Sequence, residues 1–288
     1  MNQYVIVTDS TTDLPKEYYS EHNVPLIALS YMMDGVTYED GGGLSDEEFF
    51  NKIREGAMPT TSQINPEQAK SVLEPIVKEG NDVVYIAFTS GLSGSYNSVR
   101  IAAEELLEDY PERKIAVIDS LCASMGEGLL LYKAVELRDK GMSMEELVEW
   151  IESNKLNVCH DVTIDDLHHL YRGGRVSKTS AVLGSIIKIK PIIHVNEEGK
   201  LIVIGKERGR KRAMLSLVDR MEIKSMGFEN NTVMIVHGDA AEDAEFLKQE
   251  IKERFGITNI IINGIGSVIG SHTGPGVIAI FYMGDRRK

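Results

Sequence analysis

Short β-rich runs alternate with helical patterns along almost the whole chain, and this alternation restricts the fold more than any other feature. Tyr4–Thr8, Pro25–Tyr31, Val83–Thr89 and Ile115–Asp119 have the Val, Ile, Tyr and Phe content of strands. Helical stretches fall at Leu14–His22, Ser45–Glu55, Pro66–Glu79 and Tyr96–Glu108, then at Ser124–Lys140 and Met144–Asn154. Strands separated by helices pair in parallel, and the helices cover both faces of the sheet. The helix ends are signed. Ser45-Asp46-Glu47-Glu48 matches a capping box, Asn65-Pro66 sets an N-cap before Pro at the first helical position, and Gly80 and Gly141 stand just past two C-termini.

The pattern restarts after about Leu156. Strands are expected at Asn157–Ile164, Pro191–Val195, Leu201–Lys206, Val233–His237, Asn259–Ile262 and Val277–Met283, with helices near Asp165–Tyr171, Ser177–Ile187, Arg212–Lys224 and Ala241–Phe255. Asn196-Glu197-Glu198-Gly199 reads as a hairpin turn with Gly at the positive-φ position, so this half holds a mixed sheet. The expected fold is α/β in two domains, which 288 residues can accommodate. Residues 1–157 form a three-layer α/β/α domain with a mostly parallel sheet, and residues 158–288 an α/β domain with a mixed sheet.

Charge narrows the function. Lys+Arg 31 against Asp+Glu 44 gives −13, a poor balance for a nucleic-acid binder, whose phosphate contacts need clustered cations. The segment from Tyr171 to Arg212 is the exception, with eleven basic and three acidic residues, or +8, leaving −21 elsewhere. That contrast marks a candidate surface for an anion or an acidic partner. The longest apolar runs, such as Val277–Met283, fall far below the roughly 18 residues of a membrane helix, so no stable insertion is expected, although transient membrane contact stays compatible. The opening MNQYVIVTDS shows no export signal, so a cytoplasmic location is expected, with Cys122 and Cys159 as reduced thiols.

Ligands of open α/β sheets bind beyond the carboxyl ends of the strands. Here those ends are rich in hydroxyls: Thr8-Asp9-Ser10-Thr11-Thr12-Asp13, Thr89 to Ser98, and Asp119 to Ser124, joined by the loop Pro59-Thr60-Thr61-Ser62-Gln63. Helix caps account for many of them, including Ser120 and Ser124. The Thr89–Ser98 loop exceeds that need, with five aliphatic hydroxyls in ten residues and with Gly91 and Gly94 opening the backbone. Glycine amides and a helix N-terminus suit an anion, which points to Ser93 and the Gly94 amide. No Walker motif and no G-x-G-x-x-G is present, and no H-E-x-x-H, so neither a nucleotide cofactor nor a metal is expected. Gly91-Leu92-Ser93-Gly94-Ser95 approaches the nucleophile elbow but ends in Ser, which leaves a serine hydrolase or acyltransferase, with Ser93 attacking and His272 as base, as the alternative. A regulatory module for another small anion would use the same pocket. His272 itself lies in a stretch that reads as a glycine-rich turn, Gly270 to Gly276.

The segments VTDSTTDLP (7–15), PTTSQ (59–63), SGLSGSYNS (90–98), IDSLCASMGEG (118–128), LYRGGRVSK (170–178), KPIIHVNEEGKL (190–201), ERGRKRA (207–213) and IGSHTGPG (269–276) together resemble the DegV family, bacterial fatty-acid-binding proteins that serve a separate fatty acid kinase. The resemblance spans nearly the whole chain in order. It implies a non-enzymatic carrier holding one long-chain fatty acid, without further cofactor, and presenting the carboxylate to the kinase. It places carboxylate binding on Thr61, Ser93 with the Gly94 amide, and His272, and contacts to the kinase and its phosphate on Arg172, Arg175, Arg208 and Arg210. Thr61, Ser93 and the Gly94 amide then supply three donors without a buried lysine or arginine. Burying ~14 methylenes gains roughly 11 kcal/mol, so the tail should dominate affinity and the donors orientation. Met32–Met33 and Ala181–Ile189 are candidate linings of the acyl slot that ordinary core packing explains equally well.

Overall fold

The run Asp82–Ala87 is buried at every position, as a strand covered on both faces must be. The computed structural model describes residues 4–177 and 189–285. The strands of the first half are β1 (Tyr4–Asp9), β2 (Leu26–Ile27), β3 (Ser30–Met33), β4 (Val36–Glu39), β5 (Thr60–Ser62), β6 (Asp82–Ala87) and β7 (Ile115–Asp119). Four of them form a parallel sheet in the order β2-β1-β6-β7. The other three form a small antiparallel sheet, β4-β3-β5. The strand expected at Pro25–Tyr31 is therefore divided between two sheets, and Pro59–Gln63, expected as a loop, contributes β5. Neither departure was marked by alternation, because both segments are too short to show a period.

The second half adds β8 (Val158–Thr163), β9 (Ile189–Val195), β10 (Leu201–Arg208), β11 (Thr232–His237), β12 (Asn259–Gly264) and β13 (Ile278–Met283). They form a mixed sheet in the order β10-β9-β8-β13-β11-β12, in which only β11 and β12 run parallel. The 196–199 turn joins β9 to β10 as expected, with Gly199 at φ 71°. The helix at Asp165–Tyr171 is shorter than expected, His168–Arg172. The one expected at Ser177–Ile187 lies, beyond Ser177, outside the described residues, as does most of Ala181–Ile189. Pro66–Lys78 starts where its sequence signals it, with Asn65 and Gln68 capping each other.

The Met125–Asp139 helix joins the two sheets. Residues 125–131 are all buried, so its first two turns have no solvent face. Two glycines make this close fit feasible. A Cβ on Gly126 would lie 2.0 Å from Nε2 of His160 on β8, and one on Gly128 would lie 2.6 Å from the Thr12 carbonyl oxygen after β1. His160 Nε2 in turn accepts the Ala123 amide at 3.1 Å. One continuous apolar cluster therefore runs from Ile6 and Tyr85 in the parallel sheet to Val236 and Phe281 in the mixed sheet.

Gly126→Ala should lower stability by about 1–3 kcal/mol, because the methyl group must displace the His160 ring and break its bond from the Ala123 amide. The shift of the urea unfolding midpoint measures it, and an unchanged midpoint would show that the helix does not seat against β8 this closely.

Candidate functional site

Thr61 occupies the middle of β5, opposite Tyr31 of β3. The residues after it are fixed by the hydroxyl-rich loop. Ser95 Oγ accepts the Ile64 amide at 3.2 Å, and Gln63 Nε2 donates to Ser98 Oγ at 3.1 Å. Thr89 Oγ1 donates to the Gly199 carbonyl at 3.1 Å, fastening the same loop to the β9–β10 hairpin. Three of the five hydroxyls thus tie segments together. Ser93 differs: it is half-buried, its Oγ meets Ser95 Oγ at 3.0 Å, and it accepts the Ser95 amide at 3.2 Å. Gly94 is the N-cap of the Ser95–Asp109 helix with an ordinary φ of −81°. It is glycine for space, since a Cβ there would lie 2.3 Å from Gln63 Oε1.

His272 is not in a glycine-rich turn. It sits in the last turn of a helix, Ser267–Thr273, and only its end at Gly274 and Gly276 adopts positive φ. The flanking glycines obscured a helix of seven residues, too short for periodicity to show. Its Nε2 lies 2.8 Å from Thr61 Oγ1. Burial, with Arg175 and then Arg172 nearby, pushes the imidazole pKa down to about 4, so the ring is neutral at pH 7. Ser93 pairs with Ser95 and His272 with Thr61, so the structure assembles no Ser93–His272 dyad of the kind a serine hydrolase needs.

The turn after His168–Arg172 closes over this ring. A Cβ on Gly173 would lie 2.2 Å from His272 Nδ1, so only glycine lets the backbone press there. Arg175 follows, half-buried, with Nε donating to the Leu92 carbonyl at 3.2 Å and Nη1 to the Gly173 carbonyl at 2.5 Å. The expectation of uncharged donors alone is therefore corrected: the Gly173-Gly174 turn brings a guanidinium to the Ser93 loop. Arg172 Nη2 reaches the Ser271 carbonyl at 3.4 Å. Arg210 is far from an open contact, held by Asp243 at 2.8 Å and by the Gly276 carbonyl at 2.5 Å. Arg208, at the end of β10, is exposed.

Between the two sheets lies a cavity of about 410 Å³, within the size range of small-molecule sites. Thr61, Ser93, His272 and Arg175 line it together, and Gln63 and Ser124 add further polar groups. The rest is largely apolar, with Phe88 and Leu92 from the first half and Val162, Val236, Ile265 and Phe281 from the second. Met32 and Met33 do not line it: Met32 is exposed, and Met33 is buried in the core. Ser124, at the N-cap of the Met125–Asp139 helix, makes no side-chain cap. It takes φ 54° and donates to Asp13 Oδ2 at 2.5 Å. Among the described residues no group of three His, Cys, Asp or Glu could hold a metal ion.

A family model described as an uncharacterised protein of the DegV family matches residues 3–285. The chain belongs to the DegV family. A DegV domain-containing protein of Clostridium perfringens is 42% identical over 290 residues, covering all of both chains. Among solved structures, a fatty-acid-binding DegV family protein from Thermus thermophilus matches with TM-score 0.88 and 29% identity over 99% of this chain and 100% of its own. A stearic-acid-binding protein from Eubacterium ventriosum matches with TM-score 0.90 and 29% identity over 98% of each. The two-domain DegV fold is thus the fold of this chain.

The ring of His272 should titrate in a histidine-selective NMR experiment with a midpoint near 4. Against an ordinary value of 6.5, the native state binds fewer protons than the unfolded state between those limits. The stability this group contributes is present above pH 6.5 and is lost as pH falls toward 4. A midpoint at 6 or above would place the ring in solvent rather than beside Thr61.

Proposed function

We propose that this protein binds one long-chain fatty acid in the cavity between its sheets and presents the carboxylate to a separate kinase in the cytoplasm. The observation that carries the reading is a largely apolar cavity with Thr61, Ser93, His272 and Arg175 gathered at one place on its wall. Solved relatives described as fatty-acid-binding share its fold over nearly its full length. In this reading residues 1–157 form the domain that supplies Thr61, Ser93 and the Gly94 amide. Residues 158–288 form the domain that supplies Arg175 and His272.

The head group meets hydroxyls and one guanidinium. Thr61 and Ser93 donate to the carboxylate. His272, neutral, orients the Thr61 hydroxyl, and Arg175 offsets the negative charge at the cavity wall. The apolar walls take the tail, whose burial dominates the binding energy. When the partner kinase brings a nucleoside triphosphate, a carboxylate oxygen attacks the terminal phosphorus. The bond to the bridging oxygen breaks, leaving an acyl phosphate and a nucleoside diphosphate. Arg172 and Arg208 then face the incoming phosphates or the partner surface. Arg210 acts from behind, holding Asp243 and the Gly276 turn.

Mass spectrometry of an organic extract of the protein purified from its own host should show a long-chain fatty acid near one equivalent; absence of both carried and added fatty acid would end the proposal. Ser93→Ala and Thr61→Ala should each reduce acyl phosphate formation more than binding. Ala279→Phe, which fills the cavity wall, should shorten the longest acid accepted. Arg208→Glu should slow phosphoryl transfer at least several-fold at low salt while lipid uptake stays intact, and equal loss of both would move Arg208 from the partner surface to the fold.

A further inference from the structure

The Ser267–Thr273 helix supplies no cap of its own. Gly266 stands at its N-cap in an extended conformation without a side chain, yet the first amides of a helix need acceptors. Two carboxylates from the first half of the chain meet them. Asp13 Oδ1 accepts the Gly266 amide at 2.9 Å, and Asp40 Oδ1 accepts the Val268 amide at 3.0 Å. A Cβ on Gly266 would lie 2.8 Å from Asp13 Oδ1 and 3.1 Å from Asp40 Oδ1, so the missing side chain is what admits both acids.

Both acids are themselves anchored. Asp13 Oδ2 accepts the Ser124 hydroxyl, and the Asp13 carbonyl accepts Asn263 Nδ2 at 3.0 Å. The Asp40 amide donates to the Leu29 carbonyl at 2.9 Å. Asp13 and Asp40 are 5% and 7% exposed. The ionisable groups around them include other acids, Asp40 and Asp46 acting on Asp13 and Asp9 on Asp40, with Tyr31 nearby and Lys16 donating to the carbonyl of the adjacent Gly41. The Gly266 and Val268 amides and the Ser124 hydroxyl are the donors set against these two carboxyl groups. Such an arrangement costs burial energy and fixes a geometry, since the favourable field is confined to the first turn. The far end of the same helix carries His272, whose other neighbours are Arg172, Arg175 and the Gly173 backbone.

We propose that Asp13 and Asp40 are positioning residues for the head-group site: carboxylates of the first half of the chain that cap the Ser267–Thr273 helix and so set His272 against Thr61. Neither acid lines the cavity. The consequence for ligand binding rests on the fatty-acid reading above, whereas the geometry of the cap does not.

The experiment uses the full-length protein with isotope-labelled histidine, in wild type and in Asp13→Ala, Asp40→Ala and Asp40→Asn forms, with palmitate as the probe. In folded alanine variants the His272 midpoint should rise from about 4 toward the ordinary 6.5, and palmitate affinity should fall roughly five- to tenfold, the scale of a lost helix cap. Asp40→Asn keeps an oxygen acceptor for the Val268 amide and should restore most of both. Folded alanine variants with an unchanged His272 midpoint would overturn the proposal, and so would a shifted midpoint with unchanged palmitate affinity. If neither alanine variant folds, the wild-type amides decide. The Val268 and Gly266 resonances should move with pH at midpoints above the usual Asp range, as Asp40, raised by burial to about 6, takes up a proton. Amides that ignore the titration would overturn the cap. Should wild type bind no palmitate, the fatty-acid reading fails separately, and the His272 midpoints alone decide the positioning role.

Discussion

The fit of the Met125–Asp139 helix between two sheets is the constraint on which the remainder depends. Gly126 lets the helix meet His160 on β8, and Gly128 lets it meet the backbone after β1. The two sheets are thereby held at a fixed separation and share one apolar cluster. A cavity at their junction keeps its shape because close-packed interiors relax only partly around a void. The site is consequently a property of the pairing of the halves: Thr61 and His272, which make its central contact, are 211 residues apart in sequence.

The electrostatics divide along the same line. The chain is acidic overall, and acids are buried beneath the first βα turn. Asp9, Asp13 and Glu127 all have pKa values raised by burial, and hydroxyls and amides receive their lone pairs. At the cavity wall, burial first and then Arg175 and Arg172 push the His272 pKa down, which keeps the ring neutral. In the proposed reading the carboxylate head group lies beside Arg175, which lines the cavity as none of those three acids does. Part of the positive stretch seen in sequence is compensated within the fold. Lys190 pairs with Asp165, Lys200 with Glu198, and Arg210 with Asp243, so its excess charge does not translate into an equally positive surface.

Much of this was legible in the sequence. The helices signed by the capping box at Ser45 and by the Asn65-Pro66 N-cap begin where those signals say, because the signal and the structure are the same hydrogen bonds. Buried central strands such as β6 and β13 were equally plain. The three-stranded sheet carrying Thr61 was missed, since strands of three or four residues offer no periodicity. The short helix carrying His272 was hidden by flanking glycines. Motif resemblance brought Thr61, Ser93 and His272 together before geometry did. The cavity lining was invisible, because Val162, Val236 and Phe281 on a cavity wall have the same residue chemistry as neighbours in solid core. The half-burial of Arg175 was not legible, because nothing in a linear count shows that the Gly173-Gly174 turn folds it against the Leu92 carbonyl.

The 211-residue separation of Thr61 and His272 has a consequence for the order of events in the cell. Contacts so distant in sequence carry a large loop-closure entropy and form late in folding. The nascent chain therefore lacks a complete binding site until β5 and the Ser267–Thr273 helix have both been synthesised and docked. A ligand that then occupies the junction adds its binding free energy to both halves at once, by mass action. In the proposed reading a bound fatty acid thereby acts as a fastener, making the loaded protein more resistant to unfolding and proteolysis than the empty one.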